Sequence, residues 1–533
     1  MLAEYPYLLF GGASNDEAGD QLEAFWTCYK FVHPEHEAFK KPMNHLRSTL
    51  PLAVHGDEGR YLKKGNFMVC TIETLLGNHG PKKDGGESCT CHLDGILARY
   101  GNIGQGRTGD ASFQALLEKA SHQQVNDSGN EFLTKFLLFG MSSLVYKLDK
   151  GILHKAFKLV SDDMRALHEH GITVRGYTWF ASTLGVKGDM KFHHQLGNLS
   201  RSYYNAGTKQ EHPMCSHCLA GSPNVLFEDL SDTANWQNTV FVERPWREGC
   251  MPELATIPFD PAPEKIFRLD LFHCWKCGLG RDLTGSGVII LSQLGYWDYG
   301  DGAERNLPAR LQRAHSTFVL WCRANNKSPA LHSFSKSLLN YKNAKSFAWF
   351  NVKGSDNTLI TSWLLFTVKL AVQSHGHKHR ALEEALIETL QSAVVVFKIL
   401  HTHPLWLHRT CAQRAQHHLT VMLRGYKVLA KGSQDLSVVG FGLKPKLHAC
   451  DHVQRDLRAQ IIAGAPRVLN PMCWSCEANE SIVGHVSRIS RRVNSRTVST
   501  RVLDRICIKV KNLAKKFKQR LRHERTKGAK AKR

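Results

Sequence analysis

Short apolar runs near the start of the chain predict β-strands. Residues 49–55 (TLPLAVH) and 66–72 (NFMVCTI) are two such runs, and a charged, glycine-containing turn at 56–59 follows the first within the reach of a hairpin. Residues 172–184 (ITVRGYTWFASTL) are rich in β-branched and aromatic side chains, which are favoured in strands. The pattern predicts a β-hairpin and, later in the chain, a third strand.

Apolar residues at helical spacing follow these runs and dominate the second half of the chain. They predict helices over 112–120, 131–146 and 153–168, and another after residue 189. Residues 201–265 are irregular and contain seven prolines. The helical block that follows comprises 266–294, 309–324, 355–375, 380–400 and 411–429. This order of elements predicts a mixed α/β layer joined to a large helical block.

The charge of the chain indicates a polyanionic partner. Seventy Lys and Arg against 47 Asp and Glu give a net charge of +23, and residues 491–533, with 17 basic and two acidic side chains, carry +15 of it. We expect DNA as the partner and a nuclear location, since such clusters also serve as import signals. The alternatives are a solvated tail without a fixed partner and a basic amphipathic helix. The candidate DNA-binding residues are Arg491, Arg492, Arg496, Lys509, Lys511, Lys515, Lys516, Lys518 and Arg520.

Several classes of protein are disfavoured. An apolar content of 42% argues against a chain that is disordered throughout. The first ten residues lack the basic flank of a signal peptide, and no apolar run approaches the roughly 20 residues of a membrane span. Without a secretory route, the 15 cysteines are expected to be reduced thiols or metal ligands. The motifs of P-loop NTPases, zincins and α/β-hydrolases do not occur.

Four carboxylates that lie far apart in the sequence suit two-metal phosphoryl transfer. Asp57 and Asp189 follow predicted strands, and Glu477 and Glu480 precede a helical pattern. A pair of Mg²⁺ ions about 3.5–4 Å apart needs two or three carboxylates from different elements. We therefore predict a magnesium site formed by Asp57, Asp189 and either Glu480 or Glu477. The alternative is that both aspartates are ordinary turn residues beside glycine.

Two Cys-x-x-Cys motifs predict a zinc site. Cys215 and Cys218 form the first motif, and Cys274 and Cys277 form the second, directly after His273. Tetrahedral zinc takes four nitrogen or sulfur ligands. We predict Cys215, Cys218, His273 and Cys277, and leave open a different fourth ligand. The alternative is a set of free thiols beside a histidine on a helix.

Two further motifs carry less weight. The cluster Cys89, Cys91 and His92 is a poorer zinc candidate, because a Cys-x-Cys pair is cramped. Residues 101–109 (GNIGQGRTG) have a superficial likeness to a dinucleotide-binding loop, but no convincing strand precedes them.

Six segments, taken in their order, resemble a group of mobile-element-derived proteins that are similar to DDE-type transposases. They are 50–60 (LPLAVHGDEGR), 185–191 (GVKGDMK), 215–218 (CSHC), 269–283 (LDLFHCWKCGLGRDL), 443–448 (LKPKLH) and 480–489 (ESIVGHVSRI). The resemblance covers most of the chain. It implies an α/β fold with a ribonuclease-H-like mixed-sheet core, interrupted by a large, mainly helical insertion and followed by a basic C-terminal arm.

The resemblance also implies roles for the acids. Asp57 becomes the first metal-binding acid, Asp189 the second, and Glu477 or Glu480 the third. The Cys215–Cys218 motif opens the insertion.

Other implied roles and two departures concern the later segments. Asp270 and His273 become buried polar residues near the site. Residues 476–481 read CEANES where a denser acidic run is ordinary, and Cys274 and Cys277 are peculiar to this chain. A decayed or co-opted active site is therefore an alternative.

The expected organisation follows from these observations. It comprises an N-terminal segment (1–48), the first part of the core (49–200), an irregular Cys/His segment with the zinc site (201–265), the helical insertion (266–440), the end of the core with the third acid (441–490) and the basic tail (491–533). We expect a transposase-like protein that cleaves and transfers DNA strands with Mg²⁺. The rivals are a catalytically inactive, zinc-stapled nucleic-acid-binding protein and an RNA-associated structural protein. Homo-oligomerisation is left open.

Overall fold

A five-stranded mixed β-sheet is the centre of the N-terminal part of the protein. The computed structural model describes residues 4–62, 65–77, 111–206, 212–299 and 302–531. The main sheet has the order β5-β2-β1-β7-β6, in which β7 is parallel to β1 and the other neighbours are antiparallel. The strands of the described residues are β1 (Thr49–Arg60), β2 (Asn66–Thr74), β3 (Leu76–Gly77), β4 (Gln124–Val125), β5 (Phe136–Ser142), β6 (Ile172–Val174), β7 (Tyr177–Lys187), β8 (Trp406–His408) and β9 (Arg467–Leu469).

Helices surround this sheet and build the rest of the protein, so the predicted mixed α/β class is confirmed. The α-helices of the described residues are α1 (Asn15–Val32), α2 (Met43–Leu46), α3 (Ala111–Ser121), α4 (Glu131–Thr134), α5 (Ser143–Tyr146), α6 (Lys150–Glu169), α7 (Met190–Leu196), α8 (Gly280–Gln293), α9 (Leu307–Ala324), α10 (Gly354–His375), α11 (Arg380–Thr402), α12 (Arg409–Asp435), α13 (Pro445–Ile462), α14 (Glu477–Ser490) and α15 (Val498–Ala531).

The predicted hairpin of β1 and β2 is present, but β1 is longer than expected. It runs through the segment 56–59 that was predicted to be a turn, so Asp57 lies inside the strand, opposite Val69. Glycine in this segment reflects close packing rather than a turn. A Cβ on Gly56 would clash with the ring of Phe192, and one on Gly59 would clash with the Ser487 side chain of α14.

The predicted helix over 131–146 is wrong, because its middle is the edge strand β5. Residues Phe136–Ser142 pair with β2 in an antiparallel register, between the short helices α4 and α5. The side chains of Asn130 and Ser142 cap these two helices by accepting backbone N–H bonds. A short apolar run fits a helix or a strand equally well, and pairing with β2 decides this case.

The predicted third strand is itself a hairpin. Strands β6 and β7 pair around Arg175 and Gly176, which have φ values of 52° and 83°. Positive φ at both central residues is the geometry of a tight hairpin turn.

The helical block contains the predicted helices with small shifts. The predicted helix at 266–294 begins instead as a π-helical segment at Phe272–Leu279, which runs into α8. Helix α13 was not predicted. By length and composition α11 is apolar enough to cross a membrane, and half of its most apolar stretch is buried inside the protein, as in a core helix.

The basic C-terminal segment is a long amphipathic helix that packs on the protein. Val498, Val502 and Ile506 of α15 are buried with Phe132 and Val486 in an apolar cluster. The helix contacts β5, α4 and α14, and its opposite face is open to solvent. Among the predicted DNA-binding residues, the exposed ones are Arg491, Arg492, Arg496, Lys509, Lys511, Lys515, Lys516 and Lys518. The side chain of Arg520 lies outside the described part of the protein.

Candidate metal centres

The parallel pairing of β1 and β7 brings Asp57 and Asp189 together. His55 lies opposite Lys187 in this pairing, and each aspartate follows two residues later. The carboxyl ends of parallel neighbours meet at one edge of a sheet, which is where functional groups gather in α/β folds. The two acids predicted from the sequence therefore lie at the same end of neighbouring strands, although Asp57 lies within its strand and not in the predicted turn.

Asp189 is held in a fixed orientation at the start of α7. Its Oδ1 accepts a hydrogen bond of 2.7 Å from the backbone N–H of Phe192 and so caps the helix. The Phe192 ring fills the space beside Gly56 and Gly188, where a Cβ would clash with it. The short helix therefore fixes the position of Asp189 against β1.

Glu480 approaches Asp57 from α14. It lies in the first turn of this helix, which packs on β1. Burial, followed by the charges of Glu480 and Asp189, raises the pKa of Asp57 well above its usual range. Burial also opposes ionisation of Glu480, but His273 outweighs this effect and lowers the pKa of Glu480. The charges of Glu480 and Asp189 therefore both act on Asp57.

Glu477 points elsewhere. Its Oε2 lies 2.5 Å from Nζ of Lys276 and 4.0 Å from Nε2 of His401. The sequence left Glu477 and Glu480 as equal alternatives, and the structure brings Glu480, one turn further along α14, to the aspartates.

His273 belongs to this acid cluster and not to the zinc candidates. Its Nδ1 lies 2.6 Å from Oδ2 of Asp270, and its Nε2 lies 3.3 Å from Oε1 of Glu480. Burial lowers the basicity of the ring, but Asp270, Cys476 and Glu480 outweigh it and raise the pKa of His273 well above its usual range. His273 thus links the buried Asp270 to Glu480. Asp270, His273 and Cys476 also bring their ligand atoms within 4.8 Å of one another.

A buried cluster of charged side chains lies next to the elements that carry the acids. Glu73 of β2 pairs with Lys135 and, at 2.7 Å, with Lys187, and it accepts a hydrogen bond of 3.2 Å from Asn479 of α14. Burial would raise the pKa of Glu73, but the two lysines outweigh it and hold the pKa at about 2. Lys187 lies two residues before Asp189, and Asn479 lies directly before Glu480. The cluster therefore connects the end of β7 to α14, next to these two acids.

A candidate metal centre is formed by Cys215, Cys218, His448 and His452, all buried, with ligand atoms within 4.8 Å of one another. Cys218 Sγ lies 3.1 Å from His448 Nε2 and 3.5 Å from His452 Nε2. Cys215 Sγ lies 3.4 Å from His452 Nε2, and the two Nε2 atoms are 3.0 Å apart. Tetrahedral zinc, with Zn–S of about 2.3 Å and Zn–N of about 2.0 Å, places its ligand atoms roughly 3.3–3.8 Å apart. The cluster can hold a metal such as zinc.

The surroundings of this centre suit a metal that stabilises the fold. The Trp236 ring packs against His448 and His452 with centroids 4.5 Å and 4.7 Å away. Burial opposes ionisation of Cys215, but the Cys218 thiol and the two histidines outweigh it and lower the pKa of Cys215 well below its usual range. Burial and the Cys215 charge raise the pKa of Cys218.

The predicted zinc ligands His273 and Cys277 are wrong for this centre. His273 faces Glu480, and Cys277 is in neither metal-type cluster of the described residues. The ligands that the sequence reasoning missed, His448 and His452, lie four residues apart on α13, so they share one face of the helix. The sequence feature that could have identified them is a Cys-x-x-Cys motif followed by a His-x-x-x-His motif. Both spacings are common among zinc ligands, but the gap between the two motifs is unusually long.

Two motifs named from the sequence fall outside the part of the chain that the structure describes. Cys89, Cys91, His92 and residues 101–109 lie outside the described residues.

In comparison with known proteins, the chain matches no protein-family model and no curated protein.

Proposed function

We propose that the protein is a transposase-like DNA-binding protein that cleaves and transfers DNA strands at the cluster of Asp57, Asp189 and Glu480. The observation that carries this proposal is that Asp57 of β1 lies close enough to Glu480 of α14 and to Asp189 at the start of α7 for both charges to act on it. The sheet order, with β7 parallel to β1 and antiparallel strands beyond β1, is compatible with a ribonuclease-H-like core.

The three acids fit divalent magnesium by their donor chemistry. Oxygen atoms of carboxylates are its preferred protein ligands. The charges of Glu480 and Asp189 both act on Asp57, so a cation between these acids would relieve their repulsion. Asp57, Asp189 and Glu480 would hold the Mg²⁺, which would supply Lewis-acid activation of an oxygen nucleophile and stabilisation of the departing oxygen.

The residues of the chain contribute position and charge. Asp189 is oriented by its cap on α7, and Glu480 is oriented by the Asp270–His273 pair. The exposed lysines of α15 supply sequence-independent contacts to DNA phosphates. We assign the protein to the nucleus on the basis of the same basic clusters.

We assign zinc to the second centre as a structural ion. Cys215 and Cys218 come from the irregular segment, and His448 and His452 come from a core helix. Four protein ligands close the coordination shell, as in structural zinc sites. The ion then holds the irregular segment on α13.

Conservative substitutions of the acids test the proposed chemistry. Asp57→Asn, Asp189→Asn and Glu480→Gln are expected to lower Mg²⁺-dependent cleavage of plasmid DNA by at least about 100-fold, because each removes a carboxylate ligand. DNA affinity, measured by fluorescence anisotropy, stays unchanged.

The matched control is Glu477→Gln, which lies one turn earlier on α14 and is expected to keep activity. Equal loss of cleavage in the Glu477 and Glu480 variants, or loss of DNA binding in the Asp57 and Asp189 variants, contradicts the assignment.

A catalytically inactive, zinc-stapled nucleic-acid-binding protein is the second candidate. The buried Cys/His centre and the diluted acidic run at 476–481 favour it. It predicts that the wild-type protein binds DNA and contains zinc but cleaves no DNA with Mg²⁺ or Mn²⁺.

A further inference from the structure

We propose that a cavity lined by Glu58, on the other face of β1 from Asp57, is a subsite for one unpaired nucleotide of the DNA strand. The cavity has a volume of 550 Å³, and its walls come from α5, α6, α7, residues 198–204 and Arg247. Its volume falls within the range of about 300–1,000 Å³ of small-ligand sites. This inference rests on the proposed function, because it takes the strand at the acids to be the substrate.

The position of the cavity follows from its lining. Glu58 is the neighbour of Asp57 on β1, and Lys191 follows Asp189 by two residues. Successive side chains of a strand point to opposite faces of the sheet. Asp57 therefore faces Glu480, and Glu58 faces the cavity. None of the three acids lines the cavity, so a nucleotide bound there lies across β1 from Asp57 and Glu480 and leaves the acid cluster free.

An exposed aromatic ring provides a stacking surface. Tyr204 lines the cavity and is 58% exposed. Its ring lies 4.2 Å from the ring of Tyr203 and makes an edge contact with His194 at 5.7 Å, so its orientation is supported from two sides. Stacking on exposed aromatic rings is the usual way in which proteins bind unpaired bases, irrespective of sequence.

The charged lining fits the phosphates of a strand. Lys147, Lys191 and Arg247 line the cavity. The guanidinium of Arg247 is held by Leu199 O at 2.9 Å and by His194 Nε2 at 3.0 Å. Fixed and flexible cations around an aromatic ring are the arrangement that binds a nucleotide.

The carboxylate of Glu58 in the cavity lining is compatible with a bound nucleotide. Glu58 accepts hydrogen bonds from Tyr146, from Asn66 at 2.8 Å and from Lys191 at 2.7 Å. Burial opposes ionisation of Glu58, but these partners outweigh it and lower its pKa. Its negative charge is therefore neutralised locally.

The test measures binding of a fluorescein-labelled oligothymidylate to the full-length chain carrying Asp57→Asn, which prevents cleavage. Elevated salt weakens the phosphate contacts of α15. Adding Tyr204→Ala is expected to lower affinity about tenfold, since one base loses its stacking partner. Tyr204→Phe keeps the ring and is expected to bind as the parent does.

The matched control is Tyr177→Ala, which removes another exposed tyrosine, 71% exposed at the start of β7. It should leave oligothymidylate binding unchanged, and Tyr204→Ala should not change the affinity for a blunt duplex.

The outcomes separate this inference from the proposed chemistry. Unchanged oligothymidylate affinity in folded Tyr204→Ala protein, or equal loss with Tyr204→Phe, overturns the subsite even if Asp57→Asn abolishes cleavage. A tenfold loss confined to Tyr204→Ala supports the subsite even if the wild-type protein cleaves no DNA.

Discussion

His36 couples stability to pH at the scale of a single residue. The ring is 1% exposed. Its Nδ1 accepts a hydrogen bond of 3.1 Å from Ala38 N–H, and its Nε2 donates one of 3.1 Å to Thr183 O. The bond from Ala38 needs the neutral ring, because protonated Nδ1 cannot accept a hydrogen bond. Burial lowers the pKa of His36 from 6.5 to about 3.

The sign of the pH dependence follows from this shift. Between pH 6.5 and about 3 the unfolded chain binds a proton that the folded chain does not. The free energy of unfolding therefore falls as pH decreases through this window, by up to about 1.4 kcal/mol per pH unit. Urea unfolding at several pH values measures this slope. His36→Gln is expected to reduce it, and His170→Gln, which replaces a side chain that is 78% exposed, should leave it unchanged.

Single residues also show how far the candidate site was predictable. Asp57 and Asp189 could be found from their places around predicted strands, because the sheet itself brings them together. Glu477 and Glu480 could not be separated, because the choice depends on the rotation of α14 and on Lys276, which is about 200 residues away in the sequence. His273 was assigned to zinc because its partner Glu480 is equally remote.

At the scale of elements, helix α13 carries His448 and His452 and so connects the candidate Cys/His metal centre to the core. It also packs on α12 and on the π-helical segment before α8. Removal of a ligand should therefore release the irregular segment without unfolding the core.

Zinc content and proteolysis test this role. The protein purified without chelator is expected to contain about one zinc ion per chain, and Cys218→Ser and His452→Gln are expected to lose it, because three ligands do not close the site. Limited chymotrypsin digestion should then cut within residues 212–241, which contain Phe227 and Trp236. Cys277→Ser, a change of the same type outside the centre, should keep both the zinc and the protease resistance. Zinc loss in the Cys277 variant contradicts the ligand set.

The elements also differ in how well local sequence specifies them. The long helices α9 to α12 were predicted to within a few residues at most ends, because periodicity accumulates over many turns. The strand β5 was predicted as a helix because its seven residues carry too little periodicity, and only the distant partner β2 defines them. Helix α13 was missed, although its apolar residues and Pro445 at its start fit a helix.

At the scale of the whole molecule, the packing of α15 fixes the position of its basic side chains relative to the rest of the protein. Its apolar face is buried against α4, α14 and the edge strand β5, so the exposed lysines are held along one side of the protein rather than on a free tail. Lys509 packs over the ring of Phe132 at 3.7 Å, which couples it to the fold. Lys511, Lys515 and Lys516 are exposed, which makes them suitable for a test of charge alone.

The dependence of DNA binding on salt measures whether this face contacts phosphates. Each neutralised phosphate contributes about −0.9 to the slope of log affinity against log salt concentration. Replacing Lys511, Lys515 and Lys516 together with Gln is therefore expected to make the slope shallower by about 3 and to weaken binding at low salt. The matched control replaces three exposed lysines of the helical block, Lys327, Lys336 and Lys345, in the same way. The control lowers the net charge by the same amount. An equal change in the salt slope of both variants would assign the effect to the overall electrostatic field of the protein. A change in slope for the α15 variant alone would place the DNA backbone along this helix.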